Sequence, residues 1–192
     1  MVCSTIREIL VHSQELFGDE DAVRYKTGPK KTESKSYSQL REDSESFSRA
    51  VCALGEQGSH LAVIGNTSYH WLTAYLGIVN AKSVAVPLDV SLPAEELCEL
   101  MDRADVTALV LDECRKDVAE TARSRCPKLK HLISMQKEAH GDGWLSMEQL
   151  LRENAGVFDE EPEPDQLCTI MFTSGTTGKS KGVMLTLSLI HI

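Results

Sequence analysis

Apolar and polar positions along this chain follow two rhythms, a helical one and a strand one, that replace each other repeatedly. Thr5 and Glu8 have capping-box spacing, and Ile6, Ile9, Leu10, Leu16 and Phe17 form an apolar stripe that ends at Gly18. Residues 22–25 read as a short strand, and 27–34 as a polar, hairpin-like loop. A helix over 38–55 carries Leu40, Phe47, Ala50, Val51 and Leu54 on one face. Strand 60–65 follows, then a helix around Trp71, strand 83–89 and helix 94–103 behind Pro93. Strand 106–111, helix 113–125, strand 131–135 and a short helix over 146–154 complete the series. In the Trp71 helix, Trp71, Leu72, Tyr75, Leu76 and Val79 fall on one side, which predicts a packed face rather than an aromatic ligand cage.

Continuous Val, Leu and Ile runs separated by amphipathic helices predict an α/β fold with a largely parallel sheet flanked by helices on both faces. Residues 1–155 form that α/β unit. Residues 156–166 hold five acids and two prolines, and read as a solvated linker without a packed element. After it come two apolar runs, 167–172 and 183–186, around a Gly/Ser/Thr-rich centre, so 167–186 reads as strand–loop–strand.

Composition narrows the function classes. With 192 residues, 42% of them hydrophobic, the chain can bury one core. A net charge of −9 argues against nucleic acid or an anionic membrane surface as main partner. No apolar run reaches spanning length and no signal pattern opens the chain, so a cytoplasmic protein is expected. Cysteines 3, 52, 98, 114, 126 and 168 include no C-x-x-C pair and read as reduced thiols. Cys168 belongs to the apolar strand and is not expected to be catalytic. Histidines 12, 60, 70, 131, 140 and 191 have no metal-ligand spacing.

The chemistry concentrates in Thr173–Gly182, whose ten residues are three glycines, five hydroxyl side chains and two lysines, with no acid. Glycines let the backbone turn several N–H groups toward one anion, hydroxyls add neutral donors, and lysines add positive charge. The NTPase pattern G-x-x-x-x-G-K-[ST] fails, because Thr173 stands where its first glycine belongs. A helix should also follow that loop, whereas Val183, Met184 and Leu185 continue as a strand.

Residues 169–186 resemble the phosphate-loop signature of the AMP-forming adenylating enzymes, aromatic-T-S-G-[ST]-T-G-x-P-K-G. Phe172 holds the aromatic place, Lys179 the variable one and Lys181 the motif lysine, while Ser180 stands where proline is usual. Residues 66–89 are similar to that family's early helix and strand, with Lys82 in place of the usual turn glycine. The resemblance implies the N-terminal subdomain of the adenylating-enzyme fold, closest to the fatty acyl-CoA synthetases. Aryl-CoA ligases and amino-acid adenylation domains share most of the same letters, and a non-catalytic phosphate-binding α/β module stands as the alternative of another class.

The resemblance further implies ATP, Mg²⁺ and coenzyme A as reaction partners and a small-molecule carboxylic acid as substrate. Thr173, Ser174, Thr176 and Thr177 would donate hydroxyls to the ATP phosphates and Gly175 and Gly178 backbone N–H groups. Lys181 would supply charge, Lys179 an auxiliary charge, and Gly182 the close of the motif. The family's catalytic residues, adenine pocket and acyl tunnel follow this loop, so the 192 residues alone are expected to be inactive. After Thr186 the sequence leaves the family pattern. Leu187–Ile192 matches a translated end sequence of a transposon-based sequencing adapter, so 187–192 is expected to be a non-native tail.

Overall fold

The computed structural model describes residues 3–26, 31–136, 141, 143–173 and 180–190. Its centre is a seven-stranded sheet in the order β7-β6-β5-β3-β4-β8-β9. The strands are β3 (His60–Ile64), β4 (Val84–Leu88), β5 (Val106–Leu111), β6 (His131–Ser134), β7 (Trp144–Ser146), β8 (Leu167–Thr173) and β9 (Lys181–Thr186). Every neighbouring pair is parallel except β8 and β9. Strands β1 (Asp21–Lys26) and β2 (Thr32–Ser36) form a separate antiparallel pair.

Alternation along the strands feeds two apolar cores. Leu61, Val63, Ala85, Ala108, Val110 and Ile133 face helices α1 (Ile6–Phe17), α2 (Tyr37–Ala53), α3 (Tyr69–Asn80) and α6 (Met147–Glu153). Ala62, Ile64, Val86, Leu109, Leu111 and Leu132 face α4 (Ala94–Arg103) and α5 (Lys116–Arg125). The expected parallel sheet covered on both faces is therefore what the chain forms. Starting at β3, the chain steps outward to β4, then crosses back to β5 and continues to β6 and β7. That doubly wound path places all the βα connections at the carboxyl edge of the sheet.

Several local expectations change. Thr5 accepts the Glu8 N–H at 3.1 Å, but the Glu8 carboxylate turns to Ser4, so only half of the capping box forms. On α1 only Ile6 and Leu10 are buried; Ile9, Leu16 and Phe17 remain 39–59% exposed, because this outer helix packs along one narrow side. The complete capping box belongs to α2, between Ser36 and Gln39. Of the expected 27–34 loop, residues 27–30 lie outside the described residues and 32–36 are strand β2. The single helix expected over 113–125 splits into a 3-10 turn, Glu113–Arg115, and α5. Arg115 has non-helical dihedrals there and donates to the Leu92 carbonyl at 2.8 Å. Strand β7 escapes sequence reading because three residues are too few to show a period.

The buried side of α3 is rotated from the expected one. Thr73, Ala74, Gly77 and Ile78 are fully buried between α2 and the sheet, whereas Trp71, Leu72, Tyr75 and Leu76 are half-buried at its flank. The Trp71 and Tyr75 rings stack at 5.7 Å against the same core, so packing still accounts for them.

Lys82 ends α3 in a left-handed conformation, φ 59°. Its N–H bonds the Val79 carbonyl at 3.1 Å and the Ser83 N–H bonds Ile78 at 3.1 Å, a Schellman closure that favours glycine. Lys82→Gly is expected to stabilise the chain by about 0.5–1 kcal/mol in urea unfolding, since a Cβ at positive φ is strained. Lys82→Ala keeps the strain and loses only the ion pair to Glu160 at 3.2 Å, so it should be neutral or slightly destabilising.

Residues 156–166 contain no helix or strand, as their prolines demand, yet they are docked rather than free in solvent. Phe158 is buried and its N–H donates to Glu45 at 3.2 Å. Arg7 holds the Phe158 carbonyl at 3.0 Å and Glu161 at 2.6 Å, and Thr5 donates to Glu161 at 2.6 Å. Of the five acids, Glu161 pairs with Arg7 of α1 and Glu160 with Lys82 just beyond α3.

Candidate functional site

The glycine-rich segment leaves the sheet at the carboxyl end of β8. Strand β8 lies beside β4, with Ala85 opposite Thr169, and returns through β9 with Thr173 opposite Lys181. The two described ends of the predicted loop are thus cross-strand partners, which is the strand–loop–strand setting read from the sequence. Ser174, Gly175, Thr176, Thr177, Gly178 and Lys179 lie outside the described residues. Thr173, Lys181 and Gly182 are described, and both Lys181 and Gly182 are exposed.

Three features of the neighbouring residues build the stem. Cys168 and Thr169 are buried at its base, and burial pushes the Cys168 thiol up, so it stays protonated and unreactive. The Tyr75 and Thr169 hydroxyls are 2.8 Å apart, joining α3 to β8. Higher up, Phe172 is opposite Gly182. A Cβ on Gly182 would come within 3.1 Å of Ile170 and 3.4 Å of the Phe172 ring, so the bare glycine lets that ring lie across β9.

Arg103, the last residue of α4, was not among the residues singled out from the sequence. Its Nη2 donates to the Ser180 carbonyl at 2.9 Å, and its guanidinium lies 5.5 Å from the Phe172 ring centroid. No local signal marks a contact between residues 77 positions apart.

At the same carboxyl edge, just past the ends of β3 and β5, polar groups gather on Asp112. Gln136 Nε2 donates to Asp112 at 3.1 Å and the Asn66 N–H donates to the same carboxylate at 3.4 Å. Ligands of open α/β sheets bind at this edge, where strands diverge.

A family model described as AMP-binding enzyme matches residues 10–191. The chain belongs to that family. Among its relatives is the 3-[(3aS,4S,7aS)-7a-methyl-1,5-dioxo-octahydro-1H-inden-4-yl]propanoyl:CoA ligase of Mycobacterium tuberculosis (strain ATCC 25618 / H37Rv). It is 30% identical over 156 residues, covering 76% of this chain and 30% of the relative. Long-chain-fatty-acid--CoA ligase 5 of Rattus norvegicus is 30% identical over 169 residues, covering 79% of this chain and 25% of the relative. The fold is shared with an anthranilate CoA ligase solved in complex with anthranoyl-AMP. That match has a TM-score of 0.86 at 20% identity, over 97% of this chain and 35% of the other. The chain spans about a third or less of the length of these relatives. Among the described residues no helix is long and apolar enough to cross a membrane.

Proposed function

We propose that this chain supplies the phosphate-holding part of an AMP-forming acid–thiol ligase. In that reaction a carboxylate attacks the α-phosphorus of ATP, forming an acyl-adenylate and releasing pyrophosphate. A thiol, that of coenzyme A, then takes the acyl group and releases AMP. The observation that carries the reading is the pairing of Thr173 with Lys181 at the carboxyl edge of the parallel sheet. It closes a hydroxyl- and glycine-rich loop whose composition suits the β- and γ-phosphates.

In this reading Thr173, Ser174, Thr176 and Thr177 donate hydroxyls, and Gly175 and Gly178 donate backbone N–H groups. Lys181 carries the charge that meets the developing pyrophosphate, Lys179 assists from the loop, and Gly182 keeps the stem compact. Neutral donors hold the phosphates without trapping pyrophosphate after the first step. Among the described residues no group of three or more His, Cys, Asp and Glu side chains is placed to hold a metal ion. Mg²⁺ would enter with ATP, held by the phosphates and one or two carboxylates rather than by such a cluster.

For the acyl group we propose a long-chain fatty acid. Two supports are the Thr169–Phe172 and Gly182–Thr186 segments flanking the loop and the fatty-acid ligases among the relatives. The test of the central reading is titration calorimetry of the purified chain with ATP and with inorganic pyrophosphate. Lys181→Ala is expected to weaken both about tenfold, the size of one lost charge-assisted contact, without shifting the unfolding midpoint. Equal affinities in the two proteins would remove the phosphate-holding role. Carboxylate-dependent ATP–pyrophosphate exchange by these 192 residues is expected to stay at the Lys181→Ala level.

A further inference from the structure

We propose that Arg103 is the positioning residue of the phosphate loop, fixing the Ser180 carbonyl and the Phe172 ring from the end of α4. The proposal deepens the phosphate-holding reading and rests on it.

The geometry gives Arg103 two contacts, one with the residue that enters β9 and one with a residue of β8. The 2.9 Å bond to the Ser180 carbonyl holds the residue just before β9. The guanidinium carbon, 5.5 Å from the Phe172 ring centroid, contacts the residue next to the end of β8. Phe172 can accept that contact because Gly182, its cross-strand partner, has no side chain to lift the ring. A planar fork is suited to donate and stack at once, which an ammonium cannot do.

The sequence explains why the stem needs such a brace. Ser180 stands where the resembling signature has proline, whose ring would lock φ at that position. Serine leaves the backbone free, and the freedom falls one residue before Lys181, the charge proposed to meet the phosphates. A hydrogen bond from a helix packed on the sheet restores the constraint from outside the loop. Arg103 thereby acts through Ser180 and Lys181 and is not assigned contact with a ligand.

The test compares the chain with Arg103→Ala, Arg103→Lys and the double variant Arg103→Ala/Ser180→Pro. Three readouts are taken on each: calorimetric affinity for inorganic pyrophosphate, the thermal unfolding midpoint, and hydrogen exchange at the Lys181 and Gly182 amides. Arg103→Ala is expected to weaken pyrophosphate about fivefold, the value of one net hydrogen bond, and to speed exchange at both amides. Its unfolding midpoint should move by no more than about 2 °C, since no core contact is removed. Arg103→Lys should recover less than half of the lost affinity, and Ser180→Pro should restore both affinity and protection to the alanine variant. Unchanged affinity and exchange in Arg103→Ala, or failure of Ser180→Pro to restore either, would overturn the proposal. If the unsubstituted chain binds no pyrophosphate, the phosphate-holding reading fails instead. The brace is then decided by exchange alone: faster in Arg103→Ala and reversed by Ser180→Pro supports it, unchanged exchange overturns it.

Discussion

Gly77→Ala is expected to destabilise the chain by about 2 kcal/mol, although alanine is the better helix former by about 1 kcal/mol. Gly77 lies inside α3, where it crosses α2. A Cβ there would fall 2.8 Å from Phe47 Cβ, 2.9 Å from Phe47 Cδ1 and 2.9 Å from the Ser44 carbonyl oxygen. All three are closer than packed atoms approach, and two of them cannot swing aside: one is backbone and one is a Cβ. Phe47 itself is fully buried, so its ring has no free space to enter. The Ser48 hydroxyl also bridges the Ser44 and Gly77 carbonyls, at 2.9 and 3.0 Å, and would be forced apart with the helices.

Urea unfolding of Gly77→Ala, Phe47→Leu and the double variant checks the argument. Phe47→Leu removes the Cδ1 clash in part but leaves the Cβ and the Ser44 oxygen, so the double variant should remain destabilised relative to Phe47→Leu. A Gly77→Ala chain more stable than the parent would mean that propensity outweighs contact, and that the helices have room to separate. Because α3 joins β8 through the Tyr75–Thr169 contact, separation there also reaches the strand that carries the loop.

What the sequence made legible follows from where the physics is local. Alternation of β-branched residues with helical periods located β3, β4, α4 and β5 almost to the residue, and from them the parallel sheet. The hairpin around the glycine-rich loop was equally plain, since turn chemistry and flanking apolar runs are contiguous. The face of α3 was misread because small residues, Thr73, Ala74 and Gly77, make the closest contacts, and hydrophobicity alone favours the larger Trp71 and Tyr75 at the flank. The acidic connector keeps its five acids exposed, but the partners of Glu160 and Glu161, namely Lys82, Arg7 and Thr5, come from elements over 70 residues away and leave no local signal. Arg103 belongs to the same class, a long-range partner with no signature of its own. Glu56 does too: nothing local suggests that this carboxylate is fully buried.

Glu56→Ala is expected to cost about 2 kcal/mol at neutral pH, because the Thr107 hydroxyl loses its acceptor inside a closed site. Glu56 is fully buried at the amino edge of the sheet, opposite the loop. Its carboxylate accepts the Thr107 hydroxyl from the start of β5, while Lys130 lies at 3.3 Å and His131 of β6 at 3.5 Å. Its backbone carbonyl takes the Ser83 hydroxyl at 2.9 Å, just ahead of β4. One residue therefore ties together the entries of three strands. Burial pushes its carboxyl up, but hydrogen bonds from Thr107, Ser59 and Lys130 together outweigh burial and hold it below the ordinary 4.5.

The folded pKa lies below the unfolded one, so the ionised group's contribution is complete above the unfolded value, near 4.5, and is lost as pH falls through the lower folded value. Unfolding free energy of the parent chain is therefore expected to fall as pH drops below about 4.5, with proton uptake on unfolding. Glu56→Gln should start lower at pH 7 and lose less over that interval, because the amide has no proton to gain. Measured by urea titration at pH 7, 5 and 3.5, the two curves should converge toward the acid end. Parallel curves across all three values would show that Glu56 ionisation does not contribute, and that the strand entries are held by packing alone.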